Sequence, residues 1–132
     1  MCIRDSSPFL RHGFLLALEE SGSIGGKTGW RPFYLVVKDE DEWVGATVVF
    51  LKMHSYGEYI FDWAWANAFH QSGRSYYPKC VIAAPFTPAT GKRFLIKAGR
   101  DPREVVLALM EIAEEIAESF GSSSLHLSLI HI

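Results

Sequence analysis

The sequence predicts an α+β fold, with a mixed but mostly antiparallel sheet flanked by helices. Three observations carry this. Two runs rich in Val, Leu and Phe, at 33–38 and 43–53, are separated only by the acidic stretch DEDE, which reads as a hairpin turn. A capped amphipathic segment follows later, with Val105, Leu109, Ile112, Ile116 and Phe120 on one stripe. Shorter apolar runs at 79–84, 93–97 and 124–127 surround it in the order strand, strand, helix, strand.

The elements follow in order. Residues 8–20 read as a helix, with Ser7 as its cap, Pro8 in its first turn and Leu10, Phe14 and Leu18 recurring every four residues. The Gly-rich stretch SGSIGGKTG at 21–29 leads into a strand, not into the helix start that a phosphate loop needs, and is expected to be a flexible connector. The run 43–53 is apolar on both faces, which predicts a central strand. A short helix is expected over 61–72, stopped by Gly73. The strands at 79–84 and 93–97 are joined by the turn-rich PFTPATGK. The long helix starts at Asp101, with Pro102 as its first residue and Glu104 completing an Asp-x-x-Glu capping box. Gly121 ends it. A fifth strand begins near Ser124.

Composition narrows the function classes. Hydrophobic residues make up 48% of the 132 and charged residues 21%, the profile of a soluble globular domain. A net charge of −2 supplies no general basic field for nucleic acid. No apolar run approaches the ~20 residues of a membrane span, and a cytoplasmic location is expected. Away from the ends Cys80 is the one cysteine, so no disulfide framework or Cys zinc site is expected; an apolar strand makes Cys80 a buried, inert thiol. His12, His54, His70 and His126 lack metal-ligand spacing, and no metal site is expected. The ends, MCIRDS at 1–6 and LSLIHI at 127–132, read as translated sequencing-adapter scars, leaving 7–126 as the expected native segment.

The stretch 54–94 is the most informative. It holds two Trp, four Tyr and four Phe, mixed with Glu58, Asp62, Asn67, Lys79, Thr87, Thr90 and Arg93. A plain core segment carries few ionisable groups; a polar-aromatic mixture more often lines a cleft or an interface. Glu58 and Asp62 are the acid/base candidates, because a carboxylate can accept or supply a proton. The plainer alternative has Asp62 capping the short helix and Glu58 facing water. Trp63 and Trp65 lie nearly opposite each other on a helix, so one is expected in the core and at most one in a cleft. Tyr76 and Tyr77 can stack on a sugar or peptide, or simply pack. Lys79 and Arg93 can meet a substrate carboxylate, or sit as exposed strand-end charges.

HSYGEYIFDWAWANAF, then YYPKCVIAAPFTPATGKRFL, then a capped helix and SSLHL resemble the FemAB-like peptidoglycan biosynthesis/recognition family, whose members are related to the GNAT superfamily of N-acyltransferases. The likeness covers essentially 7–126. It implies an N-terminal GNAT-like half, truncated at its C-terminal end, of a longer chain whose second GNAT-like half is its partner. It also implies transfer of an acyl or aminoacyl group from acyl-CoA or aminoacyl-tRNA to an amine of a cell-wall peptide or similar acceptor. In that reading Glu58 and Asp62 are catalytic, and Tyr56, Trp63, Tyr77, Lys79, Thr87 and Arg93 bind substrate. The alternative is a non-catalytic module that recognises a cell-wall peptide or glycan, or a purely structural half. A GNAT domain holds the acyl-CoA pyrophosphate at the start of its long helix. The matching run AGRDPRE at 98–104 departs from that pattern. It lacks the full Arg/Gln-x-x-Gly-x-Gly/Ala run, places the Asp101 carboxylate where a phosphate would sit, and loses a donor at Pro102. The donor is therefore expected on the second half.

Overall fold

The computed structural model describes residues 8–58 and 62–128. Its helices are α1 (His12–Glu20), α2 (Trp63–Gln71) and α3 (Pro102–Ser119), and its strands β1 (Trp30–Asp39), β2 (Glu42–Lys52), β3 (Lys79–Ile82), β4 (Leu95–Ile96) and β5 (Leu125–Leu127). They form one mixed sheet in the order β1-β2-β3-β5, with β4 also paired to β2. Every pairing is antiparallel except β3 with β5, which is parallel and spans the α3 crossover. The predicted α+β class, the hairpin and the central place of β2 are all present.

β2 is central because it is apolar on both faces, and each face has its own cover. On one face Leu35, Val44, Val49, Leu51, Cys80 and Ile82 pack against Val105, Leu109, Ala113 and Ala117 of α3. On the other, Trp30, Val48 and Phe50 pack against Leu15 of α1 and Ile24 of the Gly-rich loop. That loop is therefore more than a flexible connector, since Ile24 is a core residue. A register shift after Val37 puts Val44 on the α3 face. Gly45 lies beneath α3, where an added Cβ would stand 2.2 Å from Val105 Cγ1. A side chain there would lift the helix off the sheet.

Several local expectations change. The first helix is broken into a 3-10 turn, Pro8–Leu10, and α1, because Arg11 is extended. Ser7 lies outside the described residues. The strands expected at 79–84 and 93–97 are shorter, Lys79–Ile82 and Leu95–Ile96, and β4 joins β2 at Gly45 and Ala46, beyond the stretch of β2 that holds β3. The buried line of α3 runs through Val105, Leu109, Ala113 and Ala117, with Ile112 and Ile116 at its flank and Phe120 largely exposed. The small alanines let the helix approach the sheet closely. Asp101 caps α3 through the amide of Arg103 at 2.9 Å, not through that of Glu104. Asp101→Ala is expected to cost about 0.5–2 kcal/mol, read as a fall in the denaturant midpoint at unchanged slope. An unchanged midpoint would show that the cap does no work. At the far end Leu127 closes β5, and the Ser128 amide donates to the Ile82 carbonyl at 3.0 Å, so the ordered sheet runs past 126.

Candidate functional site

The face of the sheet that carries Trp30 and Phe50 continues into charge. Lys52 of β2 and Lys79 of β3 are directly opposed across the strand pair, and both are wholly buried. Two opposed lysines repel, and burial alone disfavours each ammonium. The segment that leaves β2 and the start of α2 supply the compensation. Lys79 Nζ donates to Glu58 Oε2 at 2.7 Å and to Asp62 Oδ2 at 2.5 Å. Lys52 Nζ donates to the Tyr56 carbonyl at 2.6 Å, lies 3.8 Å from Glu58 Oε1, and sits 3.5 Å from the Trp30 ring centre. The Tyr76 hydroxyl donates to Asp62 Oδ2 at 2.6 Å, and Ser55 and Tyr77 share a hydrogen bond of 2.6 Å beside them. The four charges balance, as burial requires.

Glycine makes the approach of Glu58 possible. Gly57 has φ +79°, and an added Cβ would meet the Phe86 ring at 2.7 Å and Trp30 at 2.9 Å. Its carbonyl accepts from the Phe86 amide at 3.1 Å, tying the Glu58 segment to the loop after β3.

The electrostatics separate the members. Burial alone would raise the carboxyl of Asp62, but hydrogen-bonding groups on Lys79, Ser55 and Tyr76 outweigh it and hold the group at about 2. Burial pushes the Lys52 ammonium down to about 8, with Glu58 opposing and Lys79 adding to the shift. Burial, then the bond to Asp62, pushes the Tyr76 hydroxyl up. Two buried oxygens, Glu58 Oε1 and Asp62 Oδ1, have no hydrogen-bond partner among the described residues. An orphaned carboxylate oxygen is costly, and two in one cluster mark a place with acceptor capacity left over.

The structure brings Glu58, Asp62, Lys79 and Tyr77 together, with Tyr56 and Trp63 at their margin, ring centres 5.5 Å apart and both exposed. The plainer alternatives do not hold for these charges. Asp62 occupies the N-cap position of α2 without a side-chain cap bond, Glu58 is only 5% exposed at its side chain, and Lys79 is no strand-end surface charge. Trp63 and Trp65 are both exposed, and α2 buries none of its residues, so the expected core tryptophan is absent. Phe69 of α2 meets Tyr76 at 5.3 Å. Thr87 and Arg93 lie elsewhere in the loop after β3. Thr87 Oγ1 donates to the Pro85 carbonyl at 3.1 Å. Arg93 is 3% exposed and spends its guanidinium on the carbonyls of Ser128, Gly91 and Ala89 at 2.9, 3.3 and 2.7 Å. It ties the turn-rich loop to the end of β5, an arrangement that leaves no free fork for a substrate carboxylate. Cys80 is fully buried and its thiol is pushed up by burial, as an inert core group should be.

Sequence reasoning passed over Lys52. It reads as the next-to-last residue of an apolar strand, and only the register with Lys79 reveals its place.

Fold and site together define an α+β domain, its mixed sheet compatible with a GNAT-like fold, that buries a balanced ionic cluster on one sheet face beside exposed aromatics. The FemAB-like family, described as peptidoglycan biosynthesis/recognition, matches residues 1–131, and the chain belongs to it. Its role is thereby tied to peptidoglycan-related biosynthesis or recognition. No curated protein and no solved structure matches the chain. Among the described residues, no helix is long and apolar enough to cross a membrane.

Proposed function

We propose that the chain is the N-terminal, GNAT-like half of a cytoplasmic FemAB-like N-acyltransferase that acylates an amine of a cell-wall peptide or similar acceptor. The observation that carries this is the pair of buried carboxylate oxygens, Glu58 Oε1 and Asp62 Oδ1, that have no hydrogen-bond partner among the described residues. An alkylammonium is a group whose N–H donors they would accept. Tyr56 and Trp63 then flank the acceptor as apolar walls. With its carboxyl held at about 2, Asp62 is matched to hold the ammonium, not to take its proton at neutral pH.

The donor belongs to the second GNAT-like half. At the start of α3 the Asp101 side chain already occupies the helix end. Two nearby cations are also engaged: Arg100 bridges Asp39 and Glu42 at 2.5 and 2.8 Å, and Lys97 pairs with Glu42. Acetyl-CoA is therefore expected to bind this chain weakly or not at all in titration calorimetry. Affinity in the micromolar range would overturn the assignment of the donor site. Acyl transfer itself is tested with the full-length protein, aminoacyl-tRNA or acyl-CoA, and a lysine-containing cell-wall peptide. A new amide in the mass spectrum is the expected outcome. Tight peptide binding without product from any donor would favour the second reading, a recognition module, to which the exposed Tyr56, Trp63 and Trp65 also lend themselves.

A further inference from the structure

An amine leaves the ammonium form before it attacks an acyl carbon, so the site needs a proton acceptor. Two of the four buried charges are poorly suited. Asp62 is held ionised by Lys79 and Tyr76, and Lys79 is locked between two carboxylates. The remaining strand of the sheet supplies another group. β5 pairs with β3 in parallel, placing Leu125 opposite Cys80 and His126 opposite Val81. Leu125 packs into the core beneath α3 with Cys80, so His126 faces the other side, the one that carries Lys52 and Lys79. Three adjacent strands thus direct one basic residue each to the same face.

We infer that His126 is the proton acceptor of the amine site, taking the ammonium proton of an acceptor held by Glu58 and Asp62. The inference rests on the amine-acceptor reading above. His126 Nε2 shares a 2.7 Å hydrogen bond with Ser124 Oγ, which orients the ring and leaves Nδ1 without a partner among the described residues. The residue is half-buried, whereas Lys52, Lys79 and Asp62 are buried, so it has a route by which a proton reaches solvent. The charged groups that act on it are Lys79 of β3 and Glu58 and Asp62 before α2, while Arg93 bonds the Ser128 carbonyl beyond it. Burial first, then the charge of Lys79, lowers its pKa against the opposing carboxylates, so the imidazole is neutral at neutral pH. The step balances. R–NH3+ and neutral His126 give R–NH2 and imidazolium. The amine nitrogen then bonds to the acyl carbon as the donor's thiol or ribose oxygen leaves, carrying off a second amine proton, and the imidazolium returns its proton to water.

The test uses 1,5-diaminopentane as the probe of the amine site. Calorimetry gives its affinity for the chain across pH about 5–8, and NMR follows the assigned His126 ring titration with and without it. The expected result is a lower His126 pKa in the presence of the diamine, and affinity that weakens as pH falls, by at most about tenfold per pH unit for one exchanged proton. His126→Gln should lose the fall in affinity below about pH 7, keeping only the dependence that Lys52 contributes near 8. Binding with an unmoved His126 titration would overturn the inference and leave the amine site standing. No binding at any pH would overturn the amine-acceptor reading, and the inference with it. The ring titration of the unsubstituted chain decides the matter even where the variant is unstable.

Discussion

Lys79→Met is expected to destabilise the chain by about 3–5 kcal/mol, the cost of leaving buried charge unpaired. Among the described residues, Lys79 is the one ammonium within hydrogen-bond distance of both Glu58 and Asp62, and all three side chains are nearly or fully buried. The loss should appear as a melting temperature lower by on the order of 10 °C. Adding Asp62→Asn and Glu58→Gln should restore part of it, because the amides remove the unpaired charges; strict additivity of the three changes would argue against a coupled cluster. The dependence on pH has a definite sign. The carboxyl of Asp62 is depressed to about 2, so its contribution is present above the ordinary carboxylate range and lost as pH falls from about 4 towards about 2. In Lys79→Met the same carboxyl loses its partner, its pKa rises, and acid relieves it. The stability gap between the two proteins should therefore narrow as pH falls. A gap constant from neutral pH to acid would mean that Lys79 acts through packing alone.

Leu109→Ala is expected to cost about 2–5 kcal/mol, the transfer of the lost methyl groups plus the cavity left behind. Leu109 is 0% exposed and sits in the middle of the buried line of α3 against β2. Ile112→Ala should cost less, since Ile112 is only partly buried at the edge of the same contact. Equal effects in a urea titration would show that α3 is rotated from the arrangement seen here. The sequence places both residues on one stripe, but the stripe is wider than the contact. Ala113 and Ala117, which the periodicity of large side chains passes over, take the closest positions.

The candidate site was legible in part. Glu58, Asp62 and Lys79 stand out in the sequence because ionisable groups among aromatics need a reason, and the structure gathers them. Lys52, His126 and the burial of Arg93 were not legible. Lys52 lies near the end of an apolar run and His126 is the last residue of the expected native segment, and nothing in either neighbourhood shows which strands they meet. The reading of Trp63 and Trp65 went astray because helical geometry puts them on different faces, while among the described residues none of α2 is buried.

What the sequence determined by itself was local. Caps, turn residues and apolar periodicity act over a few residues, so they set α3 with its Asp101 cap, the β1–β2 hairpin and the central character of β2. What only the tertiary structure decided was register and neighbourhood: β4 on β2 instead of β3, β5 parallel to β3, Lys52 opposite Lys79, and the carboxylates laid over both. A strand's alternation says which residues share a face, but not which strand stands beside it. The pairing is chosen where α3 and α1 cover the two faces at once, and the charges of the site become neighbours only through that choice.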